Sequence, residues 1–145
     1  MYQESMQKEI FASDADMSGT GDQGTFTPAV PVEIIEFGYI ITTVVVDAAG
    51  GLVLKADRRI TAGSDTGRTD GTGGTLTLTS AQANALVAGY VMRCRPASPI
   101  TINAGEQIVL ELTTAPDSGA GLPFIVYRNK PTYRDAATAE TIVLV

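Results

Sequence analysis

The stretch Gln107–Thr114 is the tightest constraint on what this chain can fold into. Ile108, Leu110 and Leu112 alternate with Val109, Glu111 and Thr113, the period of a strand that buries one face. Asn103-Ala104-Gly105 precedes the run. Glycine takes positive φ without strain and asparagine tolerates it better than most residues, so a tight turn is expected there. Pro116 and Ser118-Gly119-Ala120-Gly121 interrupt the pattern before Phe124-Ile125-Val126-Tyr127 resumes it. Ile100–Arg128 therefore reads as strand, turn, strand, glycine-rich loop, strand.

The same grammar recurs upstream. Val32–Val46 (VEIIEFGYIITTVVV) is long for one strand, since strands usually run about 3–10 residues. Gly38 is expected to mark a bulge or bend that divides it into 32–37 and 39–46. Asp47–Gly51 (DAAGG) is a turn, and Gly51–Ala56 alternates again. Asp57–Gly74 is a long, polar, glycine-rich loop; loops beyond about 12–15 residues tend to be functional or disordered. Thr75–Thr79 is a short strand. Ser80 is placed to cap a helix over Ala81–Val87, with Gly89 to end it. So short a helix must be held by packing. Tyr90–Arg95, Ile100–Ile102 and Thr141–Val145 complete eight to ten expected strands.

Strands joined by turns rather than helices argue for an all-β, antiparallel β-sandwich. The chain has 145 residues and 44% hydrophobic content, enough for one core. Residues 32–145 are the expected sandwich domain, and residues 1–31 an extended N-terminal arm. Tyr2, Met6 and Ile10 are four apart and can share one face of a short helix. Ser13–Thr27 has little to bury. It reads either as a disordered segment or as an extended arm that orders on a neighbour, which Phe11 and Phe26 favour.

The residues offer little chemistry. There is no His and only one Cys, so the commonest general base is missing and no zinc–thiolate cluster can form within one chain. Lys8, Lys55 and Lys130 sit in no nucleophile motif. Glu33 and Glu36 are expected on opposite faces of a strand, and Glu106 and Glu111 lie apart on one hairpin, so no acid–base pair is evident. No enzyme activity and no cofactor are expected. Asp14–Asp22 (DADMSGTGD) resembles the first part of an EF-hand loop, but position twelve is Thr25 rather than a glutamate. A polar turn is the competing reading, and Asp65 and Asp70 raise a similar, weaker Ca²⁺ possibility. Gly71-Thr72-Gly73-Gly74 lacks the Lys-Ser/Thr of a phosphate loop. Cys94 is expected to be a small, buried apolar residue.

Charge narrows the partners. The net charge of −6 argues against nucleic acid, whose phosphates need a basic face. The N-terminal 36 residues hold Glu4, Glu9, Asp14, Asp16, Asp22, Glu33 and Glu36 against Lys8 alone. The middle holds Lys55, Arg58, Arg59, Arg68, Arg93 and Arg95 against Asp57, Asp65 and Asp70. Either the acidic arm of one subunit meets the basic middle of another, or both are solvated. No run approaches the roughly 20 apolar residues of a membrane helix. Met1–Phe11 lacks the apolar core of a signal peptide.

Ala104-Gly105-Glu106-Gln107-Ile108-Val109-Leu110-Glu111-Leu112-Thr113-Thr114-Ala115, followed by Gly119-Ala120-Gly121-Leu122-Pro123-Phe124, resembles the small head decoration (cement) proteins of tailed bacteriophages. The likeness covers roughly Val32–Pro131 and is strongest in its last third. It implies a jelly-roll β-sandwich, trimeric association, and a virion protein made in the host cytoplasm that sits on the outer capsid surface. Its partners would be the major capsid protein and further copies of itself, with no nucleic acid and no membrane. On that reading Tyr2, Met6, Ile10 and Phe11 of the arm and Arg58, Arg59 and Arg68 of the long loop are the expected contacts. The alternative is a carbohydrate- or receptor-binding β-sandwich module of a phage particle, which needs exposed aromatics around a groove.

Overall fold

Period-two alternation builds nearly every element of the computed structural model, which describes residues 6–11, 14–69, 71 and 74–130. The described strands are β1 (Gln7–Ile10), β2 (Ala15–Asp16), β3 (Gly21–Phe26), β4 (Val32–Val46), β5 (Leu52–Arg59), β6 (Thr75–Leu78), β7 (Val91–Cys94), β8 (Ile100–Ile102), β9 (Gln107–Thr114) and β10 (Ser118–Asn129), with one helix, α1 (Ser80–Asn84). Every strand pairing is antiparallel. The first sheet runs β1-β10-β4-β7, with β2 also on β10 and β8 also on β4; the second runs β3-β9-β5-β6. The expected all-β, antiparallel sandwich is what forms.

The pairings nest. Taken from the outside inward, β1 and β2 pair with β10, β3 with β9, β4 with β7 and β8, and β5 with β6. The chain thus doubles back as one antiparallel ribbon with its tip between β5 and β6. The ribbon is then wrapped so that β10 lies against β4 and β9 against β5. Leu52, Leu54, Ile108, Leu110 and Leu112 from one sheet meet Ile34, Phe37, Tyr39, Ile41 and Ile125 from the other, all at most 1% exposed. Each such aliphatic side chain contributes about 1.5–3 kcal/mol by burial.

β4 is one strand, not two. A register shift falls where Val126 pairs with Glu36 and Tyr127 with Ile34, leaving Ile35 as the extra residue of a bulge. One extra residue inverts the alternation, so Val32 and Ile34 face the core before it and Phe37, Tyr39 and Ile41 after it. Glu33 and Glu36 consequently share the outer face, correcting the expectation of opposite faces, and there they meet Arg128 (2.6 Å) and Arg95 (2.7 Å). Gly38 is not the bulge. It pairs with both Phe124 and Arg93, and a Cβ there would overlap the Met92 carbonyl oxygen.

Three further expectations are corrected. The described residues of the expected arm, 6–11 and 14–31, do not stand apart from the sandwich: β1 and β2 extend the first sheet, β3 edges the second, and Met17 is fully buried in the core. Backbone pairing along β10 and β9, not apolar content, recruits these strands, and it makes Gln7–Ile10 a strand rather than a helix. The Gly119–Gly121 segment is strand, absorbed by register shifts in β10. Pro123 within that strand cannot donate, and its carbonyl accepts the Phe11 N–H at 3.1 Å. The helix N-cap is Thr79, not Ser80. Gln82 N–H donates to the Thr79 hydroxyl and the Gln82 side chain accepts the Thr79 N–H, a capping box. The Ser80 hydroxyl is engaged elsewhere, donating to the Asp47 carbonyl at 2.9 Å. The expected strand Thr141–Val145 lies outside the described residues.

Gly38→Ala is expected to lower stability by about 2–3 kcal/mol, because backbone rather than a flexible side chain must yield. Gly19→Ala, with nothing within 4 Å of its Cβ position, is expected to stay within about 0.5 kcal/mol of the parent. Urea melts of the two variants check the contrast.

Candidate functional site

The alternation that points Leu52, Leu54 and Ala56 inward points Lys55, Asp57 and Arg59 out of the second sheet. On β9 it turns Val109 and Glu111 to the same outer face. Asp22 of β3 lies opposite Glu111, and Asp57 opposite Val109. Three carboxylates therefore gather on this face before any loop is considered.

The chain between β5 and β6 supplies the counter-charge. The expected loop 57–74 begins later, at Ile60, because β5 runs on to Arg59. Ile60–Thr69 folds back over the sheet and closes on an Arg58–Thr69 bridge. Arg68 reaches Asp57 at 2.7 Å, Asp22 at 2.8 Å and Glu111 at 3.0 Å. Arg59 reaches Asp65 at 2.7 Å and Asp22 at 3.3 Å, and donates to the Gln107 side chain at 3.1 Å. Asp57 is fully buried; its second oxygen accepts the Gly71 N–H at 2.6 Å. Val109, 0% exposed, lies on this outer face between these charged groups.

Charge balance sets the protonation pattern. Burial pushes the Glu111 carboxyl above the usual range, helped by its hydrogen bond with Asp57. Hydrogen bonds from Arg59 and Arg68 hold Asp65 below it. Burial alone would lower the Arg68 pKa, but its hydrogen bonds to Asp22 and Asp57 outweigh it and the net shift is upward. At the edge of the cluster Arg58 forks onto Glu106, at 2.9 and 2.7 Å. That fork, aided by donation from Asn103, takes Glu106 down to about 2.

The expected contact residues are thus scattered. Arg59 and Arg68 come together in the cluster, spent on their own chain, and Arg58 is spent on Glu106. Met6 and Ile10 flank or end β1, 59% and 44% exposed. Phe11 packs against the core, its ring so close to Gly24 that a Cβ there would lie 2.6 Å from Cδ2. Tyr2 lies outside the described residues. Part of the charge asymmetry noted between arm and middle is met within one subunit, where Asp22 bonds Arg59 and Arg68 and Glu36 bonds Arg95.

The loop resembling an EF-hand is strand, turn and strand. Asp16 accepts the Ser18 N–H at 2.8 Å, which lowers its pKa, Asp14 accepts from the Thr42 hydroxyl, and Asp22 belongs to the arginines. Asp65 does too, and Asp70 lies outside the described residues. Among the described residues no three His, Cys, Asp or Glu side chains are grouped to hold a metal ion. Burial pushes the half-buried Cys94 thiol up, away from the reactive thiolate. No helix among the described residues is long and apolar enough to cross a membrane.

Two surface features went unnoticed in the sequence. A shallow cleft of about 290 Å³ is lined by Gln7, Phe26, Pro28, Val30, Tyr127 and neighbours. Its Phe26 and Tyr127 rings sit 4.7 Å apart, and the Tyr127 hydroxyl donates to Gln7 at 2.8 Å. Elsewhere Val44, Val46, Val87, Tyr90 and Val91 are 40–56% exposed, and hydrogen bonds from Val45 to Leu86 and from Ile41 to Tyr90 bring their two segments side by side. No family model matches the chain, and neither a curated protein nor a solved structure matches it significantly.

Glu111→Gln is expected to raise the melting temperature at about pH 7. A carboxyl whose folded pKa is raised contributes fully below its unfolded value, near 4.3, and loses that contribution as pH rises through the folded value. Glutamine keeps the neutral form throughout. The gap should close as pH is lowered toward about 4, which melts across pH check.

Proposed function

We propose that the chain is a structural virion protein that decorates and stabilises the outer surface of a tailed-phage capsid, acting as a trimer. One observation carries the reading. The stretch that resembles cement proteins supplies β9 and half of β10, the strands at the centre of their sheets, each flanked by partners on both sides. The nested, wrapped ribbon supports reading the sandwich as a jelly roll, the architecture the resemblance implies. A rigid sandwich works by adhesion, adding contacts across joints between capsid subunits. Trimeric association multiplies weak contacts through effective concentration.

The arrangement of the arginines moves the expected contact surface. Because Arg58, Arg59 and Arg68 are engaged internally, exposed apolar residues such as Val44, Tyr90 and Val91 are better suited to meet a neighbour than the charges are. The cleft beside Phe26 and Tyr127 is the observation that favours the second reading, a carbohydrate- or receptor-binding module of the particle, since paired rings flanked by Gln7 and Asn129 suit a polar ligand with apolar faces.

Sedimentation discriminates. The purified chain is expected to run as a trimer and to pellet saturably with heads of its cognate phage, but not with DNA or glycan-coated beads. A monomer that pellets with glycan beads and not with heads would replace the first reading with the second. Removing residues 1–24 is no test of contact, because it strips β1, β2 and most of β3 from the sandwich and is expected to unfold it.

A further inference from the structure

We propose that Ile60–Thr69 is a strap latched across the outer face of the second sheet by Arg68, and that acid releases it while the sandwich stays folded. The inference stands on the strap's own bonding and not on the decoration reading. Its base is a two-bond bridge, Arg58 N–H to Thr69 carbonyl at 3.2 Å and Thr69 N–H to Arg58 carbonyl at 2.8 Å. Two turns shape it, Ser64 N–H to Thr61 carbonyl and Arg68 N–H to Asp65 carbonyl, both 3.1 Å.

Beyond that bridge, the ties among the described residues are chiefly ionic. Arg68 bonds Asp57, Asp22 and Glu111, and Asp65 bonds Arg59. A neutral tie runs from Gly63 N–H to the Gln107 side chain at 3.0 Å. Apolar burial adds little, because Ile60, the strap's large apolar residue, is 53% exposed. The sandwich beneath is held by buried aliphatics that do not titrate. Strap and core therefore answer differently to protons.

The charged groups facing one another are Asp22 from β3, Lys55, Asp57 and Arg59 from β5, Glu111 from β9, and Asp65 and Arg68 from the strap. Protonating the carboxylates removes the anions and leaves three cations side by side. Asp65, held below the usual carboxylate range, stabilises the latched state above its unfolded value and stops doing so as pH falls through its folded value. Glu111 acts in the opposite sense, being favoured in its neutral form, so it does not set the release. The window thus lies below the ordinary aspartate pKa of about 4. Release turns Arg59 and Arg68 from internally paired groups into an exposed cationic pair.

Hydrogen exchange on the full chain tests this, with rates corrected for their intrinsic pH dependence. Between about pH 7 and about pH 3, protection of Ile60–Thr69 is expected to fall at least about tenfold while β4 and β10 keep theirs. Strap protection that persists at the lower pH, or that disappears only together with the core, overturns the proposal. Arg68→Gln should show the released strap already at about pH 7 with core protection intact. Because that variant leaves the buried Asp57 without its guanidinium and can fail to fold, Asp65→Asn at a 70% exposed side chain provides the second reading. Its release midpoint should move to higher pH, and an unmoved midpoint counts against the latch.

Discussion

The pairing of β4 with β10 is the contact on which the first sheet depends. Among the described residues β1 and β2 attach only to β10, and β7 and β8 only to β4, so losing that seam splits the sheet in two. It joins Val32 to Asn129 and Val46 to Ser118, partners far apart in the chain. Such pairing gains nothing until a large loop has closed. The nested ribbon eases this cost, because β5 with β6 is the most local pair and each outer pair is brought near by the one inside it. The bulge at Ile35 then fixes register. Slipping by one residue would turn Phe37, Tyr39 and Ile41 out to solvent.

How much of this was legible depended on which force made each element. β5, β6, β8 and β9 are made by side-chain burial, and burial writes a period of two into the residues. β1, β2 and β3 are recruited by backbone hydrogen bonds to strands already in place. Their side chains stay exposed or only half-buried, so QKEI and GDQGTF carry no such period. The bulge was hidden for a different reason. In VEIIEF both phases present apolar residues, and only the partner strand decides between them. Gly38 did stand out, but for close approach of the Met92 carbonyl rather than for a bend. The helix start was readable in principle, since Thr79 is followed three residues later by Gln82 while Ser80 is followed by Ala83.

Charge shows the limit of counting most plainly. Composition revealed an acidic N-terminal quarter and a basic middle, and complementarity between them was sound physics. It could not reveal that β3 runs beside β9, which sets Asp22 opposite Glu111, within reach of both arginines. Nor could it reveal that Arg68 would span three strands' worth of carboxylates. Ion pairs of this kind add little net stability over an apolar alternative, yet breaking one leaves a buried charge stranded, at about 3–5 kcal/mol. The cluster therefore serves to fix where the loop lies more than to hold the fold.

That arrangement bears on the adhesion proposed for this molecule. Guanidinium groups usually make good interface anchors because they bond carboxylates in two places at once. Here Arg58, Arg59 and Arg68 have met that requirement internally, at distances of 2.7 Å to their nearest carboxylates. A partner approaching the latched molecule would have to displace those bonds before making its own. The surface around Val44, Val46, Tyr90 and Val91, 42–56% exposed, requires no such exchange, since its side chains hold no ionic bonds to displace. Apolar contact of that size is weak taken singly. Repetition across several subunits is what would give it strength, and for a rigid sandwich the geometry of assembly then matters more than any one residue's affinity.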